Sequence, residues 1–373
     1  MPSQLFTPIR LGNLDLPNRI VVAPMCQYSA HDGTMTDWPL VHLGQFALGG
    51  AGLVFVEAAG VEPAGRITPG CVGLYSDDNE AAMRRVIEFF RGFGSAKIGI
   101  QLAHAGRKGS VEVPWKGGAP LPKDDPRAWA TESASALPFA GPWPTPAALD
   151  DAGLTRIKDT FVQATRRALR LGFDAIELHA AHGYLFHQFL SPLSNQRSDA
   201  YGGDLAGRMR FPLEVFEAVK EVCPKDFPLG VRVSATDWVD GGWDVAGTIA
   251  FVKELKARGG DFVDVSSGGN SPAQKIAVGP GYQTAFAADI RRAAGLTTIA
   301  VGKITDPVQA ETIIASGQAD MVALARGMLY DPRWPWHAAE VLRADAAFPP
   351  QYQRAHPTLM GEPVPGNPPP PKK

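Results

Sequence analysis

Eight short apolar runs recur along the chain, at 19–23, 53–57, 98–102, 175–179, 229–233, 262–266, 298–301 and 321–325. Each is short and mostly aliphatic, as suits a parallel strand covered on both faces. Between several of them the apolar period lengthens to that of a helix, at 79–93, 155–171, 207–222, 245–258 and 306–316. Ser76, Asp77 and Asp78 offer caps for the first helix, and Gly172 a stop for the second. Strands alternating with helices make an α/β fold. Eight of them favour closure into a (β/α)8 TIM barrel over an open sheet. The chain has 373 residues, long for an average domain, but such barrels routinely run to ~250 residues or more as one unit. A single domain over 1–361 is expected.

Two stretches break the rhythm. Residues 104–150, after the third strand, hold many prolines and tryptophans and no clear period. A stretch of that length inside a compact domain predicts a lid or cap on the face where barrels keep their active sites. The tail 362–373 ends in a proline run and two lysines, a composition for extended or disordered chain.

Composition removes several function classes. A formal net charge of −2 gives no electrostatic reason to bind nucleic acid. No apolar stretch reaches the ~20 residues that span a bilayer. The start carries no basic segment followed by an apolar run, which predicts no secretory leader. The three cysteines, Cys26, Cys71 and Cys223, form no C-x-x-C pair, which disfavours a disulfide framework, a structural zinc or an iron–sulfur cluster. A cytoplasmic protein without a metal is the expectation.

Barrel enzymes place catalytic groups at the carboxyl ends of strands. The fourth run ends in His179-Ala-Ala-His182-Gly-Tyr184. Two imidazole N–H groups there could converge on one oxygen and stabilise developing charge. A phenol beside them stays protonated at neutral pH and can donate a proton. Zinc ligation and ordinary core histidines are the alternatives; a third metal ligand is not evident. Gly302-Lys303 and Ala325-Arg326-Gly327 end the last two runs, where barrels commonly bind a phosphate. Ordinary turn chemistry explains the glycines equally well. No G-x-G-x-x-G or G-x-x-x-x-G-K-[ST] motif is present, so a ligand with one phosphate suits the chain better than a dinucleotide held in a Rossmann site. Arg232 and Gln101 are polar where apolar residues are the norm. A buried ion pair, for instance with Glu57 or Glu177, or contact with a ligand would account for Arg232. Cys26 reads as a packed thiol or a pocket residue, and Tyr28 as a pocket wall or an ordinary aromatic.

Together these residues resemble the Old Yellow Enzyme family, and within it the thermophilic-like bacterial ene-reductases. The resemblance runs from Leu5-Phe6 to Gln351-Tyr352. It is carried by Asn18-Arg19-Ile20, Ala23-Pro24-Met25-Cys26-Gln27-Tyr28, Gln101-Leu102-Ala103-His104-Ala105-Gly106-Arg107-Lys108, His179 through Leu185, Tyr201-Gly202-Gly203, Arg208-Met209-Arg210-Phe211-Pro212 and Asp331 through Trp336. The family implies non-covalent FMN and a transient NADPH or NADH donor. It implies that Pro24, Met25, Cys26, Ala59 and Gln101 line the flavin, with the Cys26 sulfur tuning its potential. Arg232 would sit near the ring's pyrimidine edge, and Gly302, Lys303, Ala325 and Arg326 would hold the phosphate. His179 and His182 match the pair that grips a substrate carbonyl or a phenolic ligand, and His179 also borders the flavin. Tyr184 matches the proton donor, Tyr28 and Lys108 substrate contacts, and Arg354 an arginine inserted into a neighbouring subunit's site. The implied activity is ping-pong reduction of α,β-unsaturated carbonyl or nitro compounds by a homodimer or homotetramer. Two positions depart from the family: Ala325 stands where relatives often have Gly, and Asp204-Leu205-Ala206-Gly207 replaces a Ser-Leu-Glu-Asn run. Two rivals follow from the residues alone. A non-redox sugar-phosphate enzyme would want a Schiff-base lysine or paired carboxylates at strand ends. An idle ligand-binding module would have no use for His179, His182 and Tyr184 together.

Overall fold

The computed structural model describes residues 2–357. Eight parallel strands form the barrel: β1 (Ile20–Val22), β2 (Leu53–Gly60), β3 (Lys97–Ala103), β4 (Ala175–Ala180), β5 (Leu229–Ser234), β6 (Phe262–Ser266), β7 (Thr297–Val301) and β8 (Met321–Leu324). Neighbours in sequence pair in parallel and β8 pairs with β1, so the sheet closes. The (β/α)8 barrel expected from the eight runs is the observed fold. Strand bounds differ from the sequence reading mainly at β2, which continues past Glu57 to Gly60 through a register shift between Val56 and Ala59.

The helices are α1 (Asp37–Ala47), α2 (Asp77–Phe93), α3 (Asp151–Leu171), α4 (Leu185–Leu190), α5 (Leu205–Val222), α6 (Val245–Ala257), α7 (Thr284–Ala294), α8 (Pro307–Ala315), α9 (Arg326–Tyr330) and α10 (Trp334–Leu342). Ser76 caps α2 by accepting the Asn79 N–H, and Gly172 ends α3 at φ 85°. α3 begins at Asp151, earlier than its apolar period suggests, because Asp150 caps it through the Gly153 N–H. Asp204 caps α5 by accepting from Gly207 N. The departure from the family's serine therefore keeps an oxygen acceptor in the capping position. α1, α4, α7, α9 and α10 lie outside the stretches read as helical, although α7 is amphipathic and stops at Gly295 in left-handed backbone.

The pleat divides each strand between two cores. One face packs against the helices. The other fills the barrel, where Val21, Ala23, Leu53, Phe55, Ala175, Phe262, Ile299, Val301, Met321 and Ala323 cluster. A hairpin of Ile9–Leu11 and Leu14–Leu16 adds Leu11, Leu14 and Leu16 to that cluster. Two glycines make room for its large rings. A Cβ on Gly99 would sit 2.5 Å from the Phe55 ring, and one on Gly230 would sit 2.4 Å from the Phe262 ring. Further along the same inward faces the side chains turn polar, with Gln101, Glu177, Arg232 and Asp264 all buried.

Residues 104–150 are not without structure. They contain 3₁₀ turns at Gly106–Lys108 and Pro114–Lys116 and a short pairing of Glu132–Ser133 with Ala147–Ala148. Arg107 ties the segment to Asn270, and Arg197 donates to the carbonyls of Ala134 and Leu149. The missing period is thus replaced by side-chain anchoring. The proline-rich stretch 362–373 lies outside the described residues.

Candidate active site

His179 is near the end of β4, and the chain turns sharply beyond it. His182 and Gly183 both have left-handed backbone, at φ 59° and 74°. Gly183 is required, since a Cβ there would lie 2.3 Å from the Gly269 carbonyl. This turn brings three rings together. The His179 and His182 centroids are 5.2 Å apart and nearly perpendicular, and Tyr184 meets His179 edge to face at 4.9 Å.

The hydrogen bonds fix what each ring can offer. His179 Nδ1 accepts the Ala181 N–H at 3.3 Å, so the proton of the neutral ring sits on Nε2. His182 Nε2 lies 2.7 Å from Ser266 Oγ, which leaves Nδ1 for a ligand. Burial, and next the Arg232 charge, pushes both imidazoles well below their ordinary range, so both are neutral at pH 7. Burial holds the Tyr184 phenol well above its ordinary value, and it stays protonated. The third imidazole of the region, His187, has a structural place. Its Nδ1 accepts from Gly183 N and its Nε2 lies 2.9 Å from the buried Asp237.

Lys108 reaches across from the segment after β3. Its Nζ donates to the carbonyls of His182 at 2.7 Å and Gly269 at 2.8 Å, and it sits 5.1 Å over the Tyr184 ring. The lysine joins the loops after β4 and β6. Tyr28, at φ 52°, meets Trp115 edge to face at 5.7 Å. Pro24, Met25 and Cys26 follow β1 and are each half-buried. Ala59 is buried near the end of β2. Gln101 lies inside β3 rather than at its end and donates to Glu177 at 2.7 Å.

Arg232 does not pair with Glu57 or Glu177, as the sequence suggested. Its Nε lies 3.2 Å from Asp264 on the next strand, in the register pair Arg232–Asp264. Glu57 instead accepts the Gln27 N–H and anchors the segment after β1. Glu177 is pushed up to about 8 by burial and then by the Asp264 charge, so it is a neutral acid at pH 7. Asp264 escaped the sequence reading, although it shares the inward face of β6 with Ser266, and that alternation was the available signal.

Arg232 also lines a cavity of about 350 Å³ with Ser266, Gly302, Lys303, Ala325 and Arg326. Tyr282, Gln283 and Thr305 share it and were not anticipated. Gln283 braces its wall by donating to Val301 and accepting from Ser267. Ala325 has φ −106°, a conformation that does not call for glycine, so its methyl is accommodated. Arg354 is exposed on the 3₁₀ turn Pro350–Ala355 and is not part of this cavity.

These residues fit a group with one phosphate and an acceptor-rich ring. The Gly302 and Lys303 N–H groups donate to no backbone acceptor among the described residues, and α9 opens beside them with its first N–H groups free of an intrahelical partner. Arg232 Nε is buried and, beyond its ion pair with Asp264, makes no hydrogen bond among the described residues, and buried donors are seldom left so without a ligand nearby. Among those residues one carboxylate–histidine group has metal-like proximity, Glu62, His104 and Glu132. Arg156 already pairs with both glutamates, and the group is separate from the histidine pair. No helix among them is long and apolar enough to cross a membrane.

The profile of the NADH:flavin oxidoreductase / NADH oxidase family matches residues 4–345. An NADPH dehydrogenase of Geobacillus thermodenitrificans is 45% identical over 356 residues, covering 95% of this chain and 99% of that protein. Among solved structures, morphinone reductase aligns with a TM-score of 0.77 and 30% identity, over 93% of this chain and 91% of its own. A second structure, morphinone reductase in complex with tetrahydroNAD, gives a TM-score of 0.76 and 29% identity, covering 94% of each chain.

Proposed function

The chain belongs to the NADH:flavin oxidoreductase / NADH oxidase family, within the Old Yellow Enzyme group, and is an FMN-dependent oxidoreductase supplied by a nicotinamide; on that premise we propose that it is an ene-reductase. Its substrates are α,β-unsaturated carbonyl or nitro compounds, and phenols bind as non-reacting ligands. The observation that carries the proposal is the convergence on the neutral His179 ring of a second neutral imidazole, His182 at 5.2 Å, and of the protonated Tyr184 phenol at 4.9 Å, at a barrel strand end.

FMN, when bound, would supply hydride transfer from NADPH or NADH to the substrate's β-carbon. Gly302, Lys303, Ala325 and Arg326 would hold its phosphate, and Pro24, Met25, Cys26, Ala59 and Gln101 would border its ring. Arg232 would lend positive charge to that ring, and its ion pair with Asp264 and the Gln101–Glu177 hydrogen bond keep that side of the site in place. His179 Nε2–H and His182 Nδ1–H donate to the substrate's electron-withdrawing oxygen. As neutral donors they favour the negative charge that builds there without first giving up a proton. Tyr184 delivers its proton to the α-carbon. Lys108 fixes the carbonyl of His182, and so the ring's direction; burial and then the Arg107 charge bring its amine down to about 7, so over the Tyr184 ring it carries its charge only in part near neutral pH. Tyr28 and residues 104–150 shape the entrance, the latter as a cap.

Assembly as a homodimer or homotetramer completes the reading, with Arg354 of one copy reaching the neighbour's site from its exposed turn. A monomer in sedimentation would remove that part. The reading of the histidine pair is tested by titrating the holoprotein with a simple phenol. A long-wavelength charge-transfer band is expected in the wild type and not in His179→Ala. An equal band in both would show that the imidazoles do not grip the phenol.

A further inference from the structure

The turn at His182 and Gly183 leads from one donor ring to the next, and side chains hold its backbone. Ser234 Oγ accepts the His182 N–H at 2.9 Å, and Lys108 Nζ donates to the His182 carbonyl at 2.7 Å. His187 Nδ1 accepts the Gly183 N–H at 2.9 Å, and Gln188 Nε2 donates to the Gly183 carbonyl at 2.7 Å. Left-handed backbone at a residue with a side chain persists only where the surroundings over-determine it, and His182 has that conformation. Of the four side chains, only His187 has a tautomer to choose. A neutral imidazole accepts at Nδ1 only while its proton sits on Nε2. Asp237 Oδ1 lies 2.9 Å from that Nε2, and both side chains are fully buried. The other oxygen, Oδ2, is taken by Ser191 Oγ at 2.5 Å, the Trp243 N–H at 2.9 Å and Asn270 Nδ2 at 3.4 Å. The carboxylate therefore turns an acceptor towards Nε2, which selects the form of His187 that can hold Gly183.

We infer that His187 and Asp237 are positioning residues for the proposed reduction, on the reading of His182 and Tyr184 as donors to its substrate. Asp237 fixes the His187 tautomer, and His187 fixes the Gly183 peptide between the two donor residues. Neither touches the reacting atoms. Without an acceptor on His187 the Gly183 N–H is left unpaired, and a buried donor without a partner drives the backbone to find one. Turning that peptide changes ψ of His182 and φ of Gly183, and so the angle at which the His182 ring meets His179. A carboxamide in place of the carboxylate has a sharper effect than a mere loss of charge. In Asp237→Asn the amide oxygen stays with Ser191 and the Trp243 N–H, and the NH2 group faces His187 Nε2. Nε2 must then accept, the ring's proton moves to Nδ1, and Nδ1–H points at the Gly183 N–H. Two donors oppose each other at the one peptide the turn depends on.

Phenol titrated into the holoprotein reads the donor geometry through its long-wavelength charge-transfer band, with thermal midpoints measured alongside. Asp237→Asn and His187→Leu should each raise the Kd for phenol about tenfold, the scale of one lost hydrogen bond, and slow flavin reoxidation by 2-cyclohexenone. His187→Asn has a side-chain oxygen as many bonds from the backbone as Nδ1, and no tautomer to choose. It should bind phenol nearly as the wild type does, and adding Asp237→Asn to it should not weaken binding further. A pair that only supports the fold would lower the thermal midpoints and leave the Kd for phenol unchanged, and that result would overturn the inference. So would Asp237→Asn weakening phenol equally with and without His187→Asn. A wild type that gives no phenol band would overturn the reading of the histidine pair as well, which separates the two failures.

Discussion

Tyr184 and Glu177 show how burial sets protonation at single positions. Tyr184 is held neutral, which suits a proton donor. Tyr184→Phe should slow reoxidation by an enone about 10²-fold, the scale of general acid catalysis, while leaving reduction by NADPH unchanged. Rapid-mixing measurements of the two half-reactions check this, and equal loss in both would place Tyr184 elsewhere. Glu177 is raised from an ordinary 4.5 to about 8 by burial and by Asp264. Between those values the folded apoprotein holds a proton that the unfolded chain has lost. The stabilising contribution is therefore complete below about pH 4.5 and disappears as pH rises through about 8. Glu177→Gln has no such proton, so its thermal midpoint should decline less between those two pH values than that of the wild type. Parallel declines in both proteins would contradict the assignment. Much at this scale was legible in the sequence, because His179, His182, Tyr184 and Arg232 are polar or titratable groups in otherwise apolar runs. Asp264 was not, because a lone acid inside a strand becomes meaningful only when the register sets it opposite Arg232.

The elements divide by how local their causes are. The barrel strands were legible because burial on both faces leaves a mostly apolar signature, and Phe262–Ser266 begins and ends where its run does. α2, α3, α5, α6 and α8 carry caps and long periods. α4 and α9 were not legible because six and five residues are too few to show a period, and packing rather than propensity holds them. Residues 104–150 stood out as a cap, but their internal order escaped the sequence for a related reason. Their order comes from distant partners such as Asn270 and Arg197, which no local pattern reveals. Lys108 belongs to this scale, since it ties the loop after β4 to the loop after β6. Lys108→Met keeps the apolar stem but loses both bonds to carbonyl oxygens. Burial brings the Lys108 amine down to about 7, so it is charged only in part near neutral pH. Hydrogen bonds contribute roughly 0.5–1.5 kcal/mol each when neutral and more when charged, so losing both should raise the KM for an enone about tenfold, with flavin reduction unaffected. An unchanged KM would mean that the two loops hold their places without the lysine.

The whole molecule separates stability from chemistry along the barrel axis. One stretch of the interior is closed by Leu11, Leu14 and Leu16 of the hairpin and packed with Phe55 and Phe262, which Gly99 and Gly230 accommodate. Towards the carboxyl ends the interior becomes a polar layer of Gln101, Glu177, Arg232 and Asp264, and then the rings of His179, His182 and Tyr184. That order is the general logic of barrel enzymes, in which one end supports and the other reacts. If one site serves both half-reactions in turn, flavin absorbance in the anaerobic holoprotein reports it through two successive additions. Stoichiometric NADPH should bleach the yellow colour, and a following equivalent of 2-cyclohexenone should restore it with formation of cyclohexanone. Protein that bleaches but is not reoxidised by the enone, while regaining its colour in air, would contradict the account.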